Sequence, residues 1–259
     1  MSIVFTYNSV TSTTMGLTVI DVVKPVMPGQ SAKDIDIPKY PGLIQSSKKF
    51  SKNTITIKCI MVGTSESDLV TKLEALPGYL YSDTDESLSF DDQTDRYWNA
   101  QHIETVQVKR TYRFSFLDLI FTCNDPYAYD NTATTDTQEI TSDDSTYSLT
   151  NGGNTYAYPT ITIFFNQAQT HIYIENTSIT DNRLDISQSF SASDELVIDC
   201  KNLTVKKNGA ASMSGVGDGG ESKAEFPILA AGANTIAVGT DDASIDVDIT
   251  FSFNKPYLY

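Results

Sequence analysis

An all-β protein with a single helix, split into two domains, is what the chain predicts, and three observations carry the prediction. Runs rich in Ile, Val and Thr recur along its whole length. One of them, residues 245–253, alternates without a break: Ile245, Val247, Ile249, Phe251 and Phe253 face one way, and Asp246, Asp248, Thr250 and Ser252 the other, as in a strand with one face on a core and one in water. Only one stretch carries a helical period in 259 residues, a length that suits two β units each large enough to bury a core.

The elements follow in order. "IVFTY" and "LTVIDVV" read as strands. Residues 24–53 then run through four prolines with no sustained period, and so long a stretch inside a compact domain either has a job or is disordered. Ile35, Ile37, Tyr40, Leu43 and Ile44 are too apolar for a solvated linker. Two readings stay open: an irregular strand pair of the same domain, or an arm, about 24–50, docked on a neighbouring subunit. "TITIKCIMVG" is a strand with Ile55, Ile57 and Cys59 on one face and Thr54, Thr56 and Lys58 on the other. The helix follows at about 65–77, where Ser65 and Asp68 form a capping box, Leu69, Leu73 and Leu76 an apolar stripe, and Pro77-Gly78 a stop. "SLSF" and "RYWNAQ" flank Asp91-Asp92-Gln93-Thr94-Asp95, which predicts a hairpin over about 86–101 with a five-residue turn. "TVQVKR" and "YRFSFLDLIFTC" continue the sheet up to Pro126, which has no ladder donor.

The tract 130–148, "DNTATTDTQEITSDDSTYS", is nearly free of large apolar residues, which sets the expected boundary there and the domains at 1–130 and 131–259. Beyond it "PTITIFF", "THIYIE", "RLDISQSF", "ELVIDC", "LTVKK", "NTIAVG" and "SIDVDITFSF" form a procession of short strands, the pattern of a sandwich or jelly roll.

Eighteen basic and 33 acidic residues give a net charge of −15, which opposes nucleic-acid phosphates, so specific nucleic-acid binding is not expected. The first 130 residues hold 12 bases and 16 acids and the remainder 6 and 17, so the two halves differ in surface. "MSIVFTYNSVTSTTM" lacks a positive leader and an apolar core, and no run of about 18 apolar residues is present, so neither a signal peptide nor a membrane span is expected. Cys59, Cys123 and Cys200 each lie in or at the end of an apolar strand run and read as buried thiols of a reducing compartment rather than disulfides or a metal site.

No catalytic or cofactor set emerges. His102 and His171 are the two histidines, and neither sits in a nucleophile motif. "GVGDGG", 215–220, has the spacing of a dinucleotide-binding loop. The polar segment before it and Pro227 after it deny the strand and helix that loop requires, so it reads as a flexible loop. Asp91, Asp92 and Asp95 cluster hard oxygens, but the calcium-loop spacing with its central glycine is absent. Tyr147, Tyr156, Tyr158 and Tyr173 could stack on a sugar, although strand tyrosines are more often packing.

In order along the chain, Gly63 ending a strand, the stripe Leu69/Leu73/Leu76, Leu88-Ser89-Phe90-Asp91-Asp92, Arg96-Tyr97-Trp98 and Phe121-Thr122-Cys123-Asn124-Asp125-Pro126-Tyr127 resemble the distal tail proteins of siphophages. "NGGNTYAYPTITI", "DELVIDCKNLTVKKNG" and "FPILAAGANTIAV" extend the resemblance through the second half. It implies an N-terminal β-sandwich-like domain that forms a hexameric ring and a galectin-like or carbohydrate-module-like C-terminal sandwich. The implied role is that of a non-enzymatic virion protein, the hub of the tail tip, or baseplate, built in the host cytoplasm. Its partners would be further copies of itself, the tail tube protein, a tail-tip, tail-associated lysin or fibre protein, and a receptor-binding protein. On this reading Ile35, Ile37, Tyr40, Leu43, Ile44 and Trp98 are the expected subunit interface. The rival reading is a carbohydrate-binding adhesion module for host cell-wall glycans, and the missing Trp in the second half argues against assuming that activity from the fold.

Overall fold

The computed structural model describes residues 3–36, 43–218, 221 and 223–258, with backbone alone at 36, 43 and 44. The first part of the chain forms β1 (Phe5–Tyr7), β2 (Val10–Thr11), β3 (Leu17–Val23), β4 (Gln30–Asp36), β5 (Leu43–Phe50), β6 (Asn53–Val62), α1 (Glu66–Leu80), β7 (Glu86–Phe90), β8 (Gln93–His102), β9 (Gln107–Thr111), β10 (Phe114–Cys123) and β11 (Tyr127–Asp130). The second part adds β12 (Thr134–Ile140), β13 (Ser145–Asn151), β14 (Thr160–Phe165), β15 (Gln169–Asn176), β16 (Arg183–Phe190), β17 (Glu195–Asp199), β18 (Thr204–Lys207), β19 (Ala210–Ala211), β20 (Gly232–Gly239), β21 (Val247–Phe253) and β22 (Pro256–Leu258). One unit comprises Met1–Asn131 and Tyr257–Tyr259, the other Thr132–Pro256.

In the first unit the strands run β2-β1-β7-β8-β10-β6-β3, with β9 against β10, β11 against β8, and β22 against β11. β8 carries the sheet around a bend. Its middle pairs with β7, Leu88 opposite Trp98, and its last residues, Gln101 and His102, face Thr122 and Phe121 of β10. The enclosed core holds Phe5, Tyr7, Ile55, Ile57, Met61, Trp98 and Phe121, none more than 1% exposed. β6 buries alternate residues from Asn53 to Met61, the expected phase.

The helix starts as its capping box dictates: Asp68 N–H donates to Ser65 Oγ at 3.1 Å, and Asp68 Oδ2 accepts from Thr64 N–H at 2.7 Å. Gly63 makes the turn possible, because a Cβ there would sit 2.6 Å from Ser65 O and 2.8 Å from Leu69 N. Pro77 does not end the helix. It lies inside, the helix runs to Leu80, and Tyr81 N–H closes on Pro77 O at 2.9 Å. A proline in a helix interior costs about 3 kcal/mol. The burial of Leu76 and Leu80, worth about 1.5–3 kcal/mol each, holds the last turn in place.

The second unit is a sandwich of a six-stranded sheet, β12-β21-β14-β17-β18-β19, and a four-stranded sheet, β13-β20-β15-β16. Ile161, Ile163, Phe165, Ile249 and Phe251 of the first meet Leu149, Ile172, Ile174, Leu184, Ile186 and Val238 of the second in one core, and Phe165 stacks on Phe190 with centroids 4.1 Å apart. The tract 130–148 is largely strand, because β12 and β13 pair with β21 and β20. The all-β class with one helix is the observed one.

Candidate assembly interface

β4 and β5 pair only with each other, from Gln30 opposite Phe50 to Asp36 opposite Leu43, with a bulge at Lys33/Asp34. Gln30–Ile35 and Gln45–Lys49 are all exposed, so among the described residues neither face of this ribbon is covered by its own chain. A two-stranded hairpin on its own is marginally stable in water. Its root is fixed: Ser51 N–H donates to Gly29 O at 2.8 Å, and Phe50 meets Tyr127 edge to face at 6.3 Å. Ile35 is 44% exposed on β4. Leu43 and Ile44 lie on β5, opposite Asp36 and Ile35, while Ile37 and Tyr40 lie outside the described residues. The ribbon is also basic. Residues 24–53 hold six lysines and two aspartates, a net +4, in a chain of −15, so everything else carries −19.

Trp98 does not belong to an exposed interface. It is 1% exposed, meets Phe90 edge to face at 5.7 Å, and faces Leu88 on β7 and Ala128 on β11. Leu88, Phe90 and Ala128 are themselves buried, so the phase of β8 turns Trp98 into the core. Tyr97, on the opposite face, packs against Tyr129 at 5.9 Å. The turn of this hairpin is also tighter than expected. β7 ends at Phe90 and β8 begins at Gln93, leaving Asp91-Asp92 as the tip, with the surplus residues absorbed by a register shift beside Ser89. The acids there serve the fold: Asp91 Oδ1 accepts from Val4 N–H at 2.8 Å, Lys24 Nζ lies 3.4 Å from Asp92, and Arg96 Nε lies 3.6 Å from Asp95.

A second feature of this unit escaped sequence reasoning. On β10 the outward residues are Phe114 and Phe116, 43% and 46% exposed, while Ser115 is buried. They stand opposite Val62 and Ile60 of β6, and only that register makes the outer apolar face visible.

In the second unit His171 and Asp185 form a buried polar knot. Asp185 is fully buried and accepts from Arg183 Nε at 3.2 Å, Arg183 Nη2 at 3.0 Å and Lys223 N–H at 3.0 Å. His171 Nδ1 accepts from Asp241 N–H at 3.0 Å, which leaves Nε2 as the donor to Asp185 at 3.3 Å. This is a clamp on structure, extended by Thr240, whose hydroxyl donates to His171 O at 2.7 Å. What it clamps is the glycine-rich segment, which over 215–218 is a built strap rather than a flexible loop. Ser187 N–H donates to Gly215 O and Gly217 N–H to Asp185 O, both at 2.8 Å. Gly215 and Gly217 have φ +78, and a Cβ on Gly215 would lie 1.8 Å from Ser187 O. Of the four tyrosines considered for sugar stacking, Tyr147 packs on Phe251, and Tyr173 lies under Arg183 with its hydroxyl on Asp144. Tyr156 and Tyr158 are 52% and 47% exposed. Cys59, Cys123 and Cys200 are buried and free, and burial pushes the thiols of Cys59 and Cys123 up to about 12.

Known sequence families match both halves. Residues 11–123 match the phage tail protein RIFT-related domain, and residues 152–255 the C-terminal domain of the siphovirus-type tail component. The distal tail protein of Bacillus phage SPP1 is 25% identical over 189 residues, which are 70% of this chain and 73% of that protein. The crystal structure of the SPP1 protein, described as a paradigm of the hub adsorption apparatus in phages infecting Gram-positive bacteria, aligns with a TM-score of 0.76. That alignment covers 97% of this chain and 98% of the other at 18% identity, a likeness of fold.

Proposed function

The chain belongs to the siphovirus-type tail components, in the distal tail protein family, and from that premise we propose that six copies close into a ring that serves as the hub of the tail tip. It is a structural component of a phage tail. The ring joins the tail tube protein on one side to the tip, fibre or lysin protein and the receptor-binding apparatus on the other, and it assembles in the host cytoplasm.

The observation that carries this reading is the β4–β5 arm. A ring needs a heterologous contact, one surface of a subunit on a different surface of the next. The arm supplies one half of such a contact: a ribbon with no cover from its own chain, basic where the rest is acidic, and punctuated by prolines that reduce the entropy lost on docking. Ile35, Ile37, Tyr40, Leu43 and Ile44 give it apolar substance, each worth about 1.5–3 kcal/mol if fully covered. Light scattering of the purified chain is expected to give six times the protomer mass of 28.5 kDa. Deletion of 34–44 is expected to leave folded monomers, and intact rings after that deletion defeat the role of the arm. The exposed pair Tyr156 and Tyr158 favours one second reading, glycan binding by the sandwich. A glycan array separates the two, since a purely structural hub gives no signal.

A further inference from the structure

β16 (Arg183–Phe190) is the last strand of the four-stranded sheet and pairs within it with β15 alone. A strand of eight residues with a bare edge is a template for another chain, and soluble proteins cover such edges. Here the outward backbone groups of alternate residues are taken. Glu225 N–H donates to Arg183 O at 3.0 Å; Asp185 N–H to Lys223 O, Gly217 N–H to Asp185 O and Ser187 N–H to Gly215 O do so at 2.8 Å. Lys207 Nζ closes the row on Ser189 O at 2.7 Å.

The covering chain comes in two pieces, 215–217 and 223–225, each antiparallel to β16 through the bridges Ile186 to Val216 and Leu184 to Ala224. Both meet one residue. Asp185 takes Gly217 through its carbonyl, and Lys223 through its own N–H and a carboxylate oxygen. Gly215 and Gly217 make this fit possible: both have φ +78, a Cβ on Gly215 would lie 1.8 Å from Ser187 O, and one on Gly217 would lie 3.0 Å from Ala224 Cβ in the other piece. Between them Val216 packs against the core. The glycine spacing that formally matches a dinucleotide-binding loop is what lets a broken strand lie along β16.

We propose that this strap is an edge guard, which holds in cis the pairing surface that β16 otherwise offers to β16 of a second copy. A strand edge presents donors and acceptors in alternation, so it is complementary to itself on antiparallel approach, and a two-fold axis pairs two such edges with no further surface. The guard prevails because it is tethered. Joined to the strand by its own chain, it acts at an effective concentration on the order of millimolar, whereas a second copy at micromolar concentration gives up translational and rotational freedom for the same bonds. The guard belongs to the sandwich and does not depend on the ring.

Light scattering of full-chain variants tests the guard against the parent, whatever mass the parent has. Gly215→Ala separates strap from strand and is expected to give about twice the parent's mass, as a two-fold pairing requires, with the strand content retained in circular dichroism. Ser187 points its N–H away from β15, so adding Ser187→Pro removes no bond to β15 while blocking the edge. The double variant Gly215→Ala/Ser187→Pro is expected to return to the parent's mass, and so is Gly215→Ala in excess of a synthetic peptide of residues 213–225. A folded Gly215→Ala chain with the parent's mass overturns the guard, and so does association that persists in the double variant. Should Gly215→Ala fail to fold, hydrogen exchange of the parent decides. The amides of Ser187 and Gly217 are expected to exchange at least about 100-fold more slowly than unprotected ones, and exchange at the unprotected rate overturns the proposal.

Discussion

Gly215→Ala is expected to loosen the second unit and leave the first alone. Gly215 has φ +78, where an L-residue other than glycine costs about 1–2 kcal/mol. The added methyl would also lie 1.8 Å from Ser187 O, so strap and strand must separate. Separation gives up the bonds from Ser187 N–H to Gly215 O and from Gly217 N–H to Asp185 O, each worth about 0.5–1.5 kcal/mol net. The sum is a loss of about 2–5 kcal/mol. For a unit spanning Thr132–Pro256, an unfolding entropy of about 2.1 cal/mol/K per residue converts this to a fall of about 8–19 °C in Tm. The assay is built into the chain. Its one Trp, Trp98, is in the first unit, so indole emission follows that unit while calorimetry follows both. The expected result is a calorimetric transition moved down by that amount with the Trp98 transition in place. A second-unit transition within about 2 °C of the parent refutes the strap as a closely packed element.

Trp98→Ala is expected to destabilise the first unit by about 3–5 kcal/mol, read from urea unfolding by circular dichroism; a stable, folded variant defective only in assembly contradicts the burial of this side chain. Acid should expose the turn after β16. Hydrogen bonds from the Lys207 ammonium, Ser191 N–H and the Asn208 amide hold the Asp194 carboxyl well below the usual carboxylate range. Its stabilisation is therefore complete above the unfolded value of about 3.9 and is lost as pH falls toward the lower folded value. Asp194→Asn is expected to narrow the gap between urea midpoints at pH 7 and pH 3, and an unchanged gap counts against this. Because residues 24–53 carry +4 against −19 elsewhere, raising salt from about 0.05 to 0.5 M should weaken assembly by screening. Light scattering that is flat with salt removes charge from the account.

Much of the fold was legible where a strand has one buried face. The phases of 53–61 and 245–253 follow from that asymmetry, and Ser65 with Asp68 announced the helix start. The residues 30–50 showed no period for the complementary reason: among those described, neither face of the ribbon is buried in its own chain, so nothing selects an alternation. β12 and β13 were obscured by their composition. Their inward positions hold Thr134, Asp136, Gln138, Ser145 and Tyr147 at half-burial, and only Ile140, Leu149 and Asn151 are fully covered. The placement of Trp98 turned on a choice that spacing cannot make. Tyr97 and Trp98 had to face opposite ways, but which faced inward was decided by Leu88, Phe90 and Ala128 on other strands.

β22 is the last strand made, yet it pairs with β11, and Tyr257 lies 3.9 Å from the Arg96 guanidinium carbon. The sandwich of 125 residues is thus an insertion within the first unit's sequence. In synthesis order, the residues of β22 follow the whole sandwich. Removal of β22 therefore takes a pairing partner from β11 in the first unit, although the residues that precede it belong to the second.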